Sequence, residues 1–132
     1  VVLNHTTLEH IFDIKTAFQN LCKLSNDTVI IVLPFMQEQH VTSDFKDYWR
    51  LTPQAVKKLF EKNNFKLAYL NANDDKNSSI YIFAIGCLNN SKNLDWIQNS
   101  KSNKLKYIDE FLIGKKIIKN NFFKQIYLKI LG

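Results

Sequence analysis

The sequence predicts an α/β domain in which parallel strands are closed by an antiparallel C-terminal hairpin, with helices following. Three observations lead there. Thr28–Leu33 is an almost uninterrupted apolar, β-branched run, the composition of a strand covered on both faces as in a parallel sheet. Amphipathic helical stretches precede and follow it. The last two apolar runs are joined by a short polar segment, too short for a crossover, so they must pair antiparallel.

Each element has a local cause. Val1–Leu3 is the end of a strand, followed by the polar loop Asn4–Thr7. From Asp13 to Leu24 the apolar residues Ile14, Ala17, Phe18 and Leu21 recur at helical spacing, with Lys15, Gln19 and Lys23 between them. Ser25-Asn26-Asp27 stops that helix with turn-forming residues. After Thr28–Leu33, Pro34 ends the strand. Thr52-Pro53 starts the next helix: Thr52 caps the free N–H groups, and Pro53 at the first helical position loses no hydrogen bond. Val56, Leu59 and Phe60 give it one buried stripe up to Asn63-Asn64. Phe65–Asn71 and Ile80–Cys87 read as strands around the polar loop Ala72–Ser79. The order is β-α-β-α-β-β, parallel units closed by an antiparallel hairpin. Asn89–Ser91 marks a boundary between residues 1–90 and 91–132, and Lys92–Gly132 reads as one or two helices broken near Gly114.

Composition narrows the classes. The 132 residues are 45% hydrophobic and 23% charged, ordinary for a soluble globular chain. No apolar run reaches the length of a membrane span, and no secretory leader pattern opens the chain. The abrupt Val1-Val2-Leu3 start suggests a truncated chain. Cys22 and Cys87 form neither a disulfide framework nor a metal-binding spacing, so a cytoplasmic protein with two reduced thiols is expected. Charge is uneven. Residues 1–91 carry nine Lys/Arg and nine Asp/Glu, whereas residues 92–132 carry nine Lys and three acids. A basic amphipathic tail of this kind either docks on the domain or touches an anionic membrane surface or acidic partner. A single arginine, Arg50, and no aromatic-rich strand motif argue against nucleic acid.

Chemistry is expected at the loops that follow the parallel strands, because open α/β sheets bind ligands at the carboxyl ends of their strands. The first such loop holds Asn4, His5, Thr6, Glu9 and His10. A histidine here is suited to accept a proton from a substrate hydroxyl or amine. The plain alternative is a solvated His5 and a helix start at Glu9-His10, with Glu9 favoured by the dipole and His10 bonded locally. The second loop, Phe35–Leu51, is long for a strand–helix connection, as lids and binding loops are. It holds His40, Tyr48, Trp49 and Arg50, suited to pack on a flat ligand and pair with an anion. Alternatively, Tyr48 and Trp49 tuck under the sheet edge and Arg50 pairs with Asp44 or Asp47.

The strand stub before the "LEH" turn (Leu8–His10), the DTVIIVLP strand and the DYWRLTPQAVKKLFEKNNF loop and helix together resemble the second half of a class I S-adenosylmethionine-dependent methyltransferase of the small-molecule type. The resemblance spans residues 1–88. It implies a partial Rossmann-like methyltransferase sheet whose last strand is inserted antiparallel between two others, in the order Val1–Asn4, Thr28–Leu33, Ile80–Cys87, Phe65–Asn71. It further implies that Asn4, His5 and Thr6 lie beside the cofactor S-adenosylmethionine and that Glu9, Tyr48, Trp49 and Arg50 face the acceptor, a small molecule or sugar. His5 and His10 become the candidate catalytic residues. Some relatives hold a divalent metal with Glu-x-x-Glu-His. Thr6 replaces the first Glu here, so no metal is expected.

What the family also needs is not in this chain: a Gly-rich turn after the first strand and an acidic residue ending the second. Gly86, Gly114 and Gly132 are scattered. The expectation is therefore the C-terminal half of a methyltransferase domain, an enzyme only if an N-terminal half accompanies it. The alternative is a non-enzymatic, truncated module used for binding or assembly. In either case the Val1–Asn4 edge, left without its neighbour, is expected to promote self-association.

Overall fold

The computed structural model describes residues 1–72 and 81–100. The expectations for the loop after Ala72, for Ile80 and for the tail beyond Ser100, including the break near Gly114, lie outside the described residues. The elements are β1 (Val2–His5), a single 3-10 turn (Leu8–His10), α1 (Ile14–Leu24), β2 (Thr28–Pro34), α2 (Pro53–Lys62), β3 (Phe65–Ala72), β4 (Tyr81–Leu88) and α3 (Lys92–Asn99). They form an α/β fold with a four-stranded mixed sheet in the order β1-β2-β4-β3. β1 runs parallel to β2, and β4 runs antiparallel to both of its neighbours. This is the strand order that the sequence predicts.

The helix boundaries follow from their caps. Asp13 accepts from the Thr16 N–H at 3.2 Å and opens α1. Thr52 accepts from the Ala55 N–H at 3.2 Å, with Pro53 behind it. At the far end of α2, Asn64 adopts φ 62°, the left-handed conformation that ends many helices and that Asn tolerates. Ser91 caps α3 through the Asn93 N–H at 3.0 Å.

Two layers pack on the sheet. On one face Ile14, Phe18 and Cys22 of α1 and Val56 and Phe60 of α2 meet Val29, Ile31, Leu33, Leu67, Leu70, Ile82 and Ala84. Phe18 and Phe60, both wholly buried, meet edge to face with centroids 4.9 Å apart. Burying such a ring contributes about 1.5–3 kcal/mol. On the other face Leu94 and Ile97 of α3 cover Ala68 and Cys87. The expectation that β2 is covered on both faces holds only in part. Val29, Ile31 and Leu33 are buried, but Ile30 and Val32 on the opposite side are half-buried. The reason is that α3 lies over β3 and β4 rather than β2. β1 stands at the sheet edge, with Leu3 exposed.

Candidate functional site

The carboxyl ends of β1 and β2 open on the same end of the sheet, and their two loops are stitched together there. Thr6 follows β1 with φ 44°, a conformation that a β-branched residue adopts only under strain. Its N–H donates to the Val32 carbonyl at 3.0 Å, which holds the turn against β2. The chain then enters the Leu8–His10 turn, and the loop after β2 folds back over it. The Tyr48 N–H donates to the Glu9 carbonyl at 2.8 Å. His10 Nδ1 donates to the Lys46 carbonyl at 2.7 Å. Trp49 Nε1 donates to the carbonyls of Ile11 and Phe12, at 3.0 and 3.2 Å. A polar end on an apolar ring makes Trp49 the pin of this closure, since its ring also packs on the core.

Inside the closure lies a buried ionic knot. The Asp47 carboxylate is fully buried and accepts from Arg50 Nη1 at 2.5 Å, Arg50 Nη2 at 2.6 Å and the His40 N–H at 2.9 Å. Hydrogen bonding from the Arg50 guanidinium, helped by the His40 N–H and opposed by burial, holds the Asp47 carboxyl well below the usual carboxylate range. Arg50 is raised in turn, chiefly by its hydrogen bonds to Asp47. It also donates to the carbonyls of Gln37, Glu38 and Trp49.

Next to this knot sit Glu9, His10 and His40. One donor atom of each lies within 4.8 Å of those of the other two. Glu9 is 1% exposed, and neither of its carboxylate oxygens has a hydrogen-bond partner among the described residues. His10 Nε2 stands 3.8 Å from its Oε1. The His10 and His40 rings meet edge to face at 5.0 Å, and the Phe45 ring lies 4.5 Å from His10.

The residues singled out in the sequence therefore do not all meet in one place. Glu9, His10 and Arg50 come together around the closure. His10 is not bonded locally, as the helix-start alternative holds, but bridges to Lys46 in the second loop. Arg50 takes the Asp47 pairing, one of its two alternatives. Asn4 has a buried side-chain oxygen without a hydrogen-bond partner among the described residues and lines a groove of about 380 Å³ with Leu8, Ile11, Ala17 and Leu21. His5 is exposed and shares a 2.9 Å hydrogen bond with Thr6 Oγ1. Tyr48 is exposed against Phe12, at 5.4 Å, and lines a second groove of about 270 Å³ with Gln37, Gln39, Asp47, Trp49 and Arg50. Sequence reasoning names His40 as a loop residue but does not bring it to Glu9. Only the path of the loop does that, and no local signal encodes it. No family model and no curated protein matches the sequence.

Proposed function

We propose that these residues form the C-terminal half of a class I S-adenosylmethionine-dependent methyltransferase domain acting on a small molecule or sugar. The observation that carries the reading is the sheet order β1-β2-β4-β3, with the antiparallel strand inserted. The loops after β1 and β2, which hold the LEH turn and the YWR-x-TP segment, meet at one end of that sheet.

In this reading Asn4, His5 and Thr6 lie along the cofactor, and the groove beside Tyr48, Trp49 and Arg50 receives the acceptor. Transfer is a direct displacement: the sulfonium S–CH3 bond breaks as the acceptor O–CH3 or N–CH3 bond forms, and the acceptor's proton passes to a base. His5 and His10 are the histidines placed for that. Catalysis rests on positioning rather than on a covalent intermediate.

The test compares two preparations by calorimetry and by transfer of a labelled methyl group. The protein as isolated from its source should bind S-adenosylmethionine and transfer methyl. The 132-residue chain alone should bind it weakly, lacking the Gly-rich turn. Micromolar binding by the 132 residues, or no transfer by the source protein, would overturn the reading.

A further inference from the structure

We propose that Glu9, His10 and His40 form a divalent transition-metal site, with zinc as the reference ion. The inference stands on the geometry alone and does not rest on the methyltransferase reading.

The first argument is Glu9. A buried carboxylate without hydrogen bonds is costly, and proteins keep buried charges where they are paired or bind a metal. Both oxygens of this one are buried and lack hydrogen bonds among the described residues. His10 Nε2 is 3.8 Å from Oε1, beyond hydrogen-bond reach. Arg50 feels the Glu9 charge, but its guanidinium is bound to Asp47.

The second argument is the pair of histidines. Metal-binding imidazoles characteristically give their other N–H to a carbonyl or carboxylate, which fixes the tautomer. Both do so here. His10 Nδ1 faces the Lys46 carbonyl at 2.7 Å, an acceptor only, so Nδ1 carries the hydrogen and Nε2 of the neutral ring holds the lone pair. His40 Nδ1 faces Asp47 Oδ2 at 3.3 Å and the Glu38 carbonyl at 3.4 Å, again acceptors only. That leaves its Nε2 as the donor to a metal. The hydrogen bond of that ring goes to the Glu38 carbonyl, while Asp47, held in place by Arg50, stands at ion-pair distance and takes the His40 backbone N–H.

Two imidazoles and one carboxylate make a donor set suited to zinc and its first-row neighbours, with further positions open to water or substrate. Ligand bonds of about 2.0–2.2 Å put tetrahedral donors roughly 3.4 Å apart. The donors here lie within 4.8 Å, so the widest pair must close by up to about 1.4 Å. His40, on the long loop and 37% exposed in its side chain, is the ligand with room to swing in. An ion so held occupies His10 Nε2, which leaves His5 as the proton acceptor in the proposed transfer. Thr6 removes one ligand of the Glu-x-x-Glu-His pattern, and His40 enters from a different loop.

The experiment is zinc titration of the chelator-stripped 132-residue chain by calorimetry, with X-ray absorption on the loaded protein. One equivalent should bind, with a nitrogen and oxygen shell at about 2.0–2.1 Å and the scattering signature of imidazole. Since outer-shell changes alone cost 10–100-fold, loss of a ligand in His40→Ala or Glu9→Gln should weaken binding by about 100-fold or more. His5→Ala should leave it unchanged. Glu9→Gln should also melt no lower than the wild type without metal, because it removes an unpaired buried charge. No stoichiometric binding overturns the proposal, as does a shell without imidazole, a His40→Ala affinity equal to the wild type, or an equal loss in His5→Ala.

Discussion

Asp47→Asn is the change that most directly tests how the second loop is held. The carboxylate is fully buried and accepts three hydrogen bonds, two from the Arg50 guanidinium and one from the His40 N–H. Asparagine keeps the shape but loses the charge, and its amide nitrogen must face a donor. Breaking a fully buried ion pair costs about 3–5 kcal/mol. Arg50 is 25% exposed in its side chain and keeps carbonyl partners at Gln37, Glu38 and Trp49, so part of that cost is recovered by hydration. The expected loss is about 2–3 kcal/mol, near the strength of charged hydrogen bonds. For a chain of this size that lowers the melting temperature by roughly 6–15 °C. Urea unfolding of the wild type, Asp47→Asn, Arg50→Ala and the double variant measures the coupling. The pH dependence gives a second readout. The Asp47 carboxyl is depressed in the folded state, so its contribution is full above the ordinary carboxylate pKa and is lost as pH falls towards the lower folded value. The wild-type and Asn curves should therefore begin to converge below about pH 4 and draw closer as the acid is increased. Coupling under about 0.5 kcal/mol, or curves that stay parallel into acid, would refute the reasoning.

Two further changes probe the core. A Cβ on Gly86 would stand 2.2 and 2.3 Å from Phe60 ring carbons, and Phe60 is wholly buried against Phe18 and Phe65. Gly86→Ala should cost at least about 1–3 kcal/mol by urea midpoint, although Gly→Ala within a strand is ordinarily favourable. A midpoint equal to or above the wild type would show that this contact is not made. Burial pushes the Cys22 thiol from 9.0 up to about 11. At pH 8 its alkylation should run about 100-fold slower than that of an ordinary thiol, and this protection should vanish in urea. The same shift makes stability fall as pH rises between those two values. Alkylation at the unfolded rate in the native protein would contradict the burial.

Most of the fold was legible because its signals are local. The Thr52-Pro53 pair, the Asp13 cap and the apolar run of β2 each decide their element within a few residues. The short β3–β4 connection then dictates antiparallel pairing, and the placement of β4 beside β2 came with the family resemblance. The β2 faces were read less well, because an apolar strand reports that it is covered but not by what. Ile30 and Val32 are half-buried.

The site was legible only in half, and the missing half is a matter of loop path. Glu9-His10 and Arg50 stand out as polar chemistry beside strand ends. Nothing near His40 in the sequence says that it meets Glu9. That meeting follows from the bridges between the loops: Lys46 to His10, Tyr48 to the Glu9 backbone, and Trp49 to Ile11 and Phe12. These bridges bring two carboxylates, Glu9 and Asp47, to one end of the sheet, where Arg50 supplies the one guanidinium. Arg50 answers Asp47 with two hydrogen bonds and gives Glu9 none. That leaves one carboxylate in excess of the guanidinium, and it is Glu9. Hydrophobic packing alone gives no reason to seat a carboxylate there, since it costs free energy that an apolar residue of similar size would not. A cation bound between Glu9, His10 and His40 would cancel that excess where it arises, and it would give the tautomers set by the Lys46 and Glu38 carbonyls a use.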